Sequence, residues 1–178
     1  MKRSALLAVL IGSCIFSISG FAQGPSVKLC IANMQVSGTA ASNAVGQDQL
    51  IKFLGKEKPD KALSIENVPI PQAVPEEAVA SAKKKDCDYV VTTNQSESHT
   101  DSSYWGGSNV NMQTFFVTTE YKLTKLSDGS DTSSGSLKAS DRGSPQNAVG
   151  FTMKKVADKV TEAIRKAGPL ANDIANRP

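Results

Sequence analysis

Asp86-Cys87-Asp88-Tyr89-Val90-Val91-Thr92-Thr93-Asn94 is the stretch on which the fold turns. β-branched and aromatic residues crowd its middle, the composition of a buried central strand. A short charged helix pattern over residues 75–85 precedes it, closed by a tight Lys85-Asp86 turn. Helix, tight turn and apolar strand form the second half of a βαβ unit. The first half lies upstream at Val27-Lys28-Leu29-Cys30-Ile31-Ala32-Asn33-Met34, which opens a strand reaching about Val36.

The segments between the two strands follow from their punctuation. Ser42 or Asn43 caps a helix that runs to Leu54 and stops at Gly55. The loop before it, residues 37–42, has one Gly and lacks both the dinucleotide and the P-loop patterns, so it reads as a surface βα loop. Residues 62–68 alternate as a second strand, and Pro69 and Pro71 keep the following residues extended. Pro75-Glu76-Glu77 suits a first helical turn, and Lys83-Lys84-Lys85 suits a last one. Helix physics thus accounts for those charges, and Glu76 and Glu77 are not read as a catalytic pair.

Downstream, residues 95–111 form the least regular stretch, a long polar loop holding the single Trp and the single His. Residues 112–126 then alternate, with Phe115, Val117, Thr119, Tyr121 and Leu123 on one face. Ser127-Asp128-Gly129-Ser130 signals a hairpin turn, and residues 132–140 return as a Ser-rich edge strand. Ser144-Pro145 opens the strongest helix pattern, with Val149, Met153, Val156, Val160, Ile164 and Ala167 at three- and four-residue steps and Gly168-Pro169 as its end. The predicted fold is α/β (α+β): a βαβαβ core extended by an antiparallel β-hairpin and closed by a C-terminal helix, one mixed sheet with helices packed on it.

The amino terminus is read as a signal peptide over residues 1–22. Met1-Lys2-Arg3 is basic, residues 5–18 are apolar, and Gly20-Phe21-Ala22 offers small residues for cleavage before Gln23. An alternative cut exists at Ile11-Gly12-Ser13-Cys14, where Cys14 would carry a lipid and bring the chain to a membrane surface. Removing 22 of the 178 residues leaves 156, with one αβ domain over residues 23–168 and a short tail over 169–178. The net charge of +3 falls to +1 once Lys2 and Arg3 leave. No basic face remains, so nucleic acid is not an expected partner.

Cys30 and Cys87 are the cysteines left in the mature chain, both placed in the central strands. In an exported protein they invite a disulfide, while buried thiols serve equally as small hydrophobes. Both readings stand at this point. A bond would close a long loop, worth roughly 4 kcal/mol by chain entropy.

The chemistry-bearing residues do not converge. His99 has no ligand-spaced companions for a metal, and no Gly-x-Ser-x-Gly elbow exists. Ser98, His99 and Asp101 are sequence neighbours, a poor scaffold for the fixed geometry of a triad. No enzyme activity and no cofactor are expected, with a small secreted hydrolase or ligand-binding protein as the alternative. Tyr104 and Trp105, followed by Gly106 and Gly107 for adaptability, are the partner-contact residues predicted, since large aromatics with few rotors dominate binding hot spots. The competing reading has Trp105 folding back over an open end of the core.

Strand, helix, strand, helix, strand, hairpin and long helix, with the junction Ala82…Cys87-Asp88-Tyr89-Val90-Val91, resembles a group of bacterial envelope domains. These are the penicillin-binding-protein activator lipoproteins, the curli-secretion channel lipoprotein and the amino-terminal domain of the Tol translocation protein. The resemblance covers most of residues 27–167. It implies an exported, periplasmic or secreted, non-enzymatic αβ module that docks to envelope proteins. The chain departs from the activators in its four-residue lead, and from the curli channel in its short polar 95–111 segment.

Overall fold

A computed structural model describes residues 26–37, 43–56, 63–102, 112–142 and 144–167. The signal peptide, its cleavage site, Cys14, Ser42, Tyr104, Trp105 and the 169–178 tail lie outside the described residues. The element order is β1 (Ser26–Ala32), β2 (Gln35–Ser37), α1 (Asn43–Leu54), β3 (Ser64–Ile70), α2 (Pro75–Lys84), β4 (Tyr89–Ser102), β5 (Met112–Lys125), β6 (Asp131–Arg142) and α3 (Pro145–Ala167). The strands make one mixed sheet in the order β3-β1-β4-β5-β6, with β2 also on β4. The β1 pairings with β3 and β4 are parallel, and β4-β5-β6 is an antiparallel meander. The predicted fold class is the one observed.

Helices α1 and α3 cover one face of the sheet and α2 the other. The larger core joins Leu29, Ile31, Tyr89, Val91, Val117 and Leu123 to Leu50 of α1 and to Val149, Met153, Val156, Val160 and Ile164 of α3. The three- and four-residue stripe of α3 is therefore its core face, as its spacing predicts. Ala167, placed on that stripe by the sequence, is exposed at the helix end. The smaller core beneath α2 consists of Cys30, Ala32, Ile70, Ala78, Ala82, Cys87 and Val90. Small side chains dominate it, so α2 gains little from burial alone.

The junction around the opening stretch is built almost wholly from backbone bonds. Asp86 takes a positive φ of 53°. The Cys87 N–H donates to the Ala82 carbonyl at 3.1 Å and the Asp86 N–H to the Lys83 carbonyl at 3.2 Å, the pair of bonds that closes a helix in a Schellman motif. Asp88 then ties three strands together. It exchanges backbone bonds with Lys28 and Leu126, and its Oδ2 accepts the Lys28 N–H at 2.7 Å.

Two expectations are corrected. The first strand does not run unbroken to Val36. Ile31 pairs with Val91 and Gln35 with Asn94, so four steps on one strand face three on the other, and the chain jogs at Asn33-Met34. Residues 95–111 are not all loop either. Residues 95–102 continue β4 and pair with residues 112–119, ending at Ser102 opposite Met112. Their own β propensity is poor. Phe115, Phe116 and Val117 across the ladder supply it, which shows neighbours overriding local preference.

The hairpin turn between β5 and β6 follows its signal, with Gly129 at φ 72° and Asp128 Oδ1 accepting the Ser130 N–H at 2.8 Å. Gly135 of β6 sits opposite Tyr121, whose ring lies across it. A Cβ there would meet Tyr121 Cε1 at 3.1 Å. Ser144 does not spend its hydroxyl on the backbone of α3. It donates to Gln146 Oε1 at 3.0 Å.

Candidate functional site

The β4–β5 hairpin carries the features that the core does not use. β4 is flanked by β1 over residues 89–91 and by β2 over residues 94–96. From Glu97 to Ser102 its outer edge pairs with no strand among the described residues. A bare edge of this kind presents a row of backbone donors and acceptors. Tyr104 and Trp105 belong to the 103–111 connection, which leaves from Ser102 and returns at Met112. Tyr104 and Trp105 themselves lie outside the described residues.

Alternation along β4 separates the residues that a triad would need together. Ser98 and His99 are consecutive in a strand, so their side chains leave opposite faces. His99 lies near Phe115, with ring centroids 6.2 Å apart. On the same face, Glu97 has its carboxyl held above the usual carboxylate range by burial, with His99 partly opposing that shift. Among the described residues, no group of three or more His, Cys, Asp or Glu side chains is placed to hold a metal ion. No helix among them is long and apolar enough to cross a membrane.

Behind the hairpin, the core face of β4 takes on polar character. Gln95 is fully buried, and among the described residues neither of its amide atoms has a hydrogen-bond partner. Thr119, directly opposite, donates to Thr152 Oγ at 2.9 Å, and Thr152 in turn donates to the Val149 carbonyl. Alternation from Tyr89 and Val91 would carry Gln95 onto the core face, but in the sequence the strand pattern ends at Asn94 and Gln95 reads as loop. An orphaned buried amide costs about 1–3 kcal/mol, and an apolar isostere avoids that cost. Gln95→Met is expected to raise stability by about 1 kcal/mol or more, read from chemical denaturation. A clear loss of stability would mean that the amide has a partner.

On the opposite face, beyond the start of β4 under α2, no described element covers β4, β5 and β6. Thr92, Asn94, Glu120, Lys122, Ser134 and Ser136 border a shallow groove of about 450 Å³ that reaches the start of α2 at Pro75. Phe116 stands farther along that face at 43% exposure. It leaves β5 on the face opposite Phe115 and Val117. Its period-two position opposite Phe115 was the available signal.

Cys30 and Cys87 form a disulfide with Cα atoms 5.8 Å apart. Cys87 is in the turn before β4 rather than in the strand, which corrects its predicted placement. That position avoids the poor bridging geometry of neighbouring parallel strands. Structural bonds of this kind form and persist outside the reducing cytosol.

No protein-family model matches the chain, and no curated protein matches it. The chain is similar, at low identity, to solved structures that include the following three. A hypothetical protein from Chlamydia trachomatis is 10% identical, with TM-score 0.49, and the match covers 80% of this chain and 97% of that one. A lipoprotein from Neisseria meningitidis is 11% identical, with TM-score 0.39, over 76% and 99% of the two chains. TolB from Acinetobacter baumannii is 15% identical, with TM-score 0.43, over 80% of this chain and 30% of that one. At these identities and scores the likenesses assign neither a family nor an activity.

Proposed function

We propose that this chain is an exported, non-catalytic protein-interaction module of the bacterial envelope, periplasmic or secreted, which engages its partner through the free end of the β4–β5 hairpin. The observation that carries this reading is the β4 edge from Glu97 to Ser102, which pairs with no strand among the described residues and precedes Tyr104 and Trp105 in the chain. A partner strand added to that edge gains main-chain bonds, and the aromatic pair gives it selectivity. The disulfide supports an oxidising compartment.

The test is site-specific photo-crosslinking in intact cells. A photoreactive residue replaces His99, Trp105 or, as control, Asp158 on the exposed side of α3. Positions 99 and 105 are expected to give one shared protein adduct and position 158 none. Adducts only from position 158, or none from any position in folded protein, would reject the hairpin as the contact. An acylated Cys14 at the amino terminus would move the module to a membrane surface.

A further inference from the structure

The face of the meander away from α1 and α3 is rich in hydroxyls around one exposed aromatic. From β4 it presents Asn94, Ser96, Ser98 and Thr100; from β5, Phe116, Thr118 and Glu120; from β6, Ser136, Lys138, Ser140 and Arg142. None of these side chains is buried. The α2 helix covers only the small core on β1, β3 and the start of β4, so no element of the described chain lies over this surface.

Phe116 is at its centre. Ser98 faces it from β4 and Ser140 from β6. Lys138 is opposite Thr118 and Arg142 opposite Thr114, which sets the two cations diagonally on either side of the ring. Neither cation takes part in an ion pair among the described residues. Lys122, by contrast, is bound to Asp131 at 3.0 Å. The acid on this part of the face, Glu120, is displaced towards Asn94 and Ser136. The surroundings of the ring are therefore cationic, rich in hydroxyls and flat.

We propose that this face binds an acidic polysaccharide. A pyranose ring offers an apolar C–H side for the Phe116 ring, whose face carries the negative end of its quadrupole. The sugar hydroxyls match the Ser and Thr hydroxyls, each of which both donates and accepts. Uronate carboxylates complement Lys138 and Arg142, and the guanidinium can hold one in a two-bond fork. A lipid surface would need a broader apolar patch than one Phe provides. An extended peptide gains most from a strand edge, which this face is not. The polysaccharide surface uses the side chains of Ser98 and Thr100, whereas the hairpin edge offers backbone groups of the same stretch, and it does not depend on the protein-interaction reading.

The experiment is calorimetric titration of the purified, oxidised protein with oligogalacturonate, a neutral malto-oligosaccharide and poly-glutamate as probes. Oligogalacturonate is expected to bind and to weaken as salt rises, and neither other probe is expected to match it. Phe116→Ala and the double variant Lys138→Gln/Arg142→Gln should each weaken binding at least tenfold without lowering the melting temperature. Lys154→Gln, on the exposed side of α3, should leave it unchanged. Absence of oligogalacturonate binding, equal binding of the neutral sugar or of poly-glutamate, or full affinity in Phe116→Ala would each overturn the proposal. The crosslinking at positions 99 and 105 reads the hairpin independently, so either proposal can fail alone.

Discussion

Loss of the Cys30–Cys87 bond, in the Cys30→Ala/Cys87→Ala variant, is expected to lower the melting temperature by about 8–16 °C. The two cysteines are 57 residues apart in sequence. Closing a loop of that length restricts the unfolded chain by about 4 kcal/mol in the chain-entropy model. For a domain of this size, each kcal/mol moves the midpoint by about 2–4 °C. The native side of the balance points the same way. Of the α2 residues, only Ala78 and Ala82 are buried, and the core beneath them is mostly small side chains. The bond fastens the turn after α2 to the middle of β1, across the smaller of the two cores. Its loss should therefore act first on α2. Hydrogen exchange in the variant is expected to show α2 amides losing protection ahead of those in β4 and β5. A midpoint within 2 °C of wild type, with α2 protection unchanged, would show that the small core holds the helix unaided.

Where local chemistry and burial agreed, the sequence was legible. Val149 to Ile164 repeat at helical spacing because one face of α3 must meet the sheet, and each of those residues is buried. Pro75, Glu76, Glu77 and the trailing lysines mark α2 because helix ends impose their own chemistry. Legibility ended where a partner supplied what the local residues lack. Residues 95–102 are polar and turn-like, and only their ladder with β5 makes them strand. The jog at Asn33-Met34 is set by Gln72, whose carbonyl accepts the Asn33 N–H at 2.9 Å from far along the chain. The turn position of Cys87 depended on a non-glycine residue, Asp86, accepting a left-handed backbone. The aromatic pair Tyr104 and Trp105 was visible by composition alone, and composition says what a loop can bind with, not where the loop is held. The face around Phe116 was hidden for a different reason. Ser, Thr and Lys on alternating positions read as ordinary solvent contact until the register sets Lys138 and Arg142 on either side of one ring.

Val156→Asp and Val160→Asp are expected to abolish cooperative folding or to reduce stability by about 3–5 kcal/mol, a large part of the about 5–15 kcal/mol that a domain has. Both valines are fully buried in the principal core. They stand at the middle of α3, over the sheet that Val91, Val117 and Leu123 line. No salt bridge among the described residues lies at these positions: Lys159 and Lys166 both pair with Glu162 on the exposed side. A carboxylate placed at 156 or 160 would have neither water nor a cation. It must then take up a proton or pull the helix off the sheet. Lys155→Asp, one residue away and exposed, is the control for charge and helix propensity and should melt close to wild type. Val156→Ala gives a graded version that still folds, with a loss of about 2 kcal/mol from two methyl groups and the space they leave. Denaturation of the four variants by urea, followed by circular dichroism, checks the order. Soluble Val156→Asp protein with a cooperative transition near that of Lys155→Asp would mean that α3 is peripheral to the core, and that its stripe faces another chain.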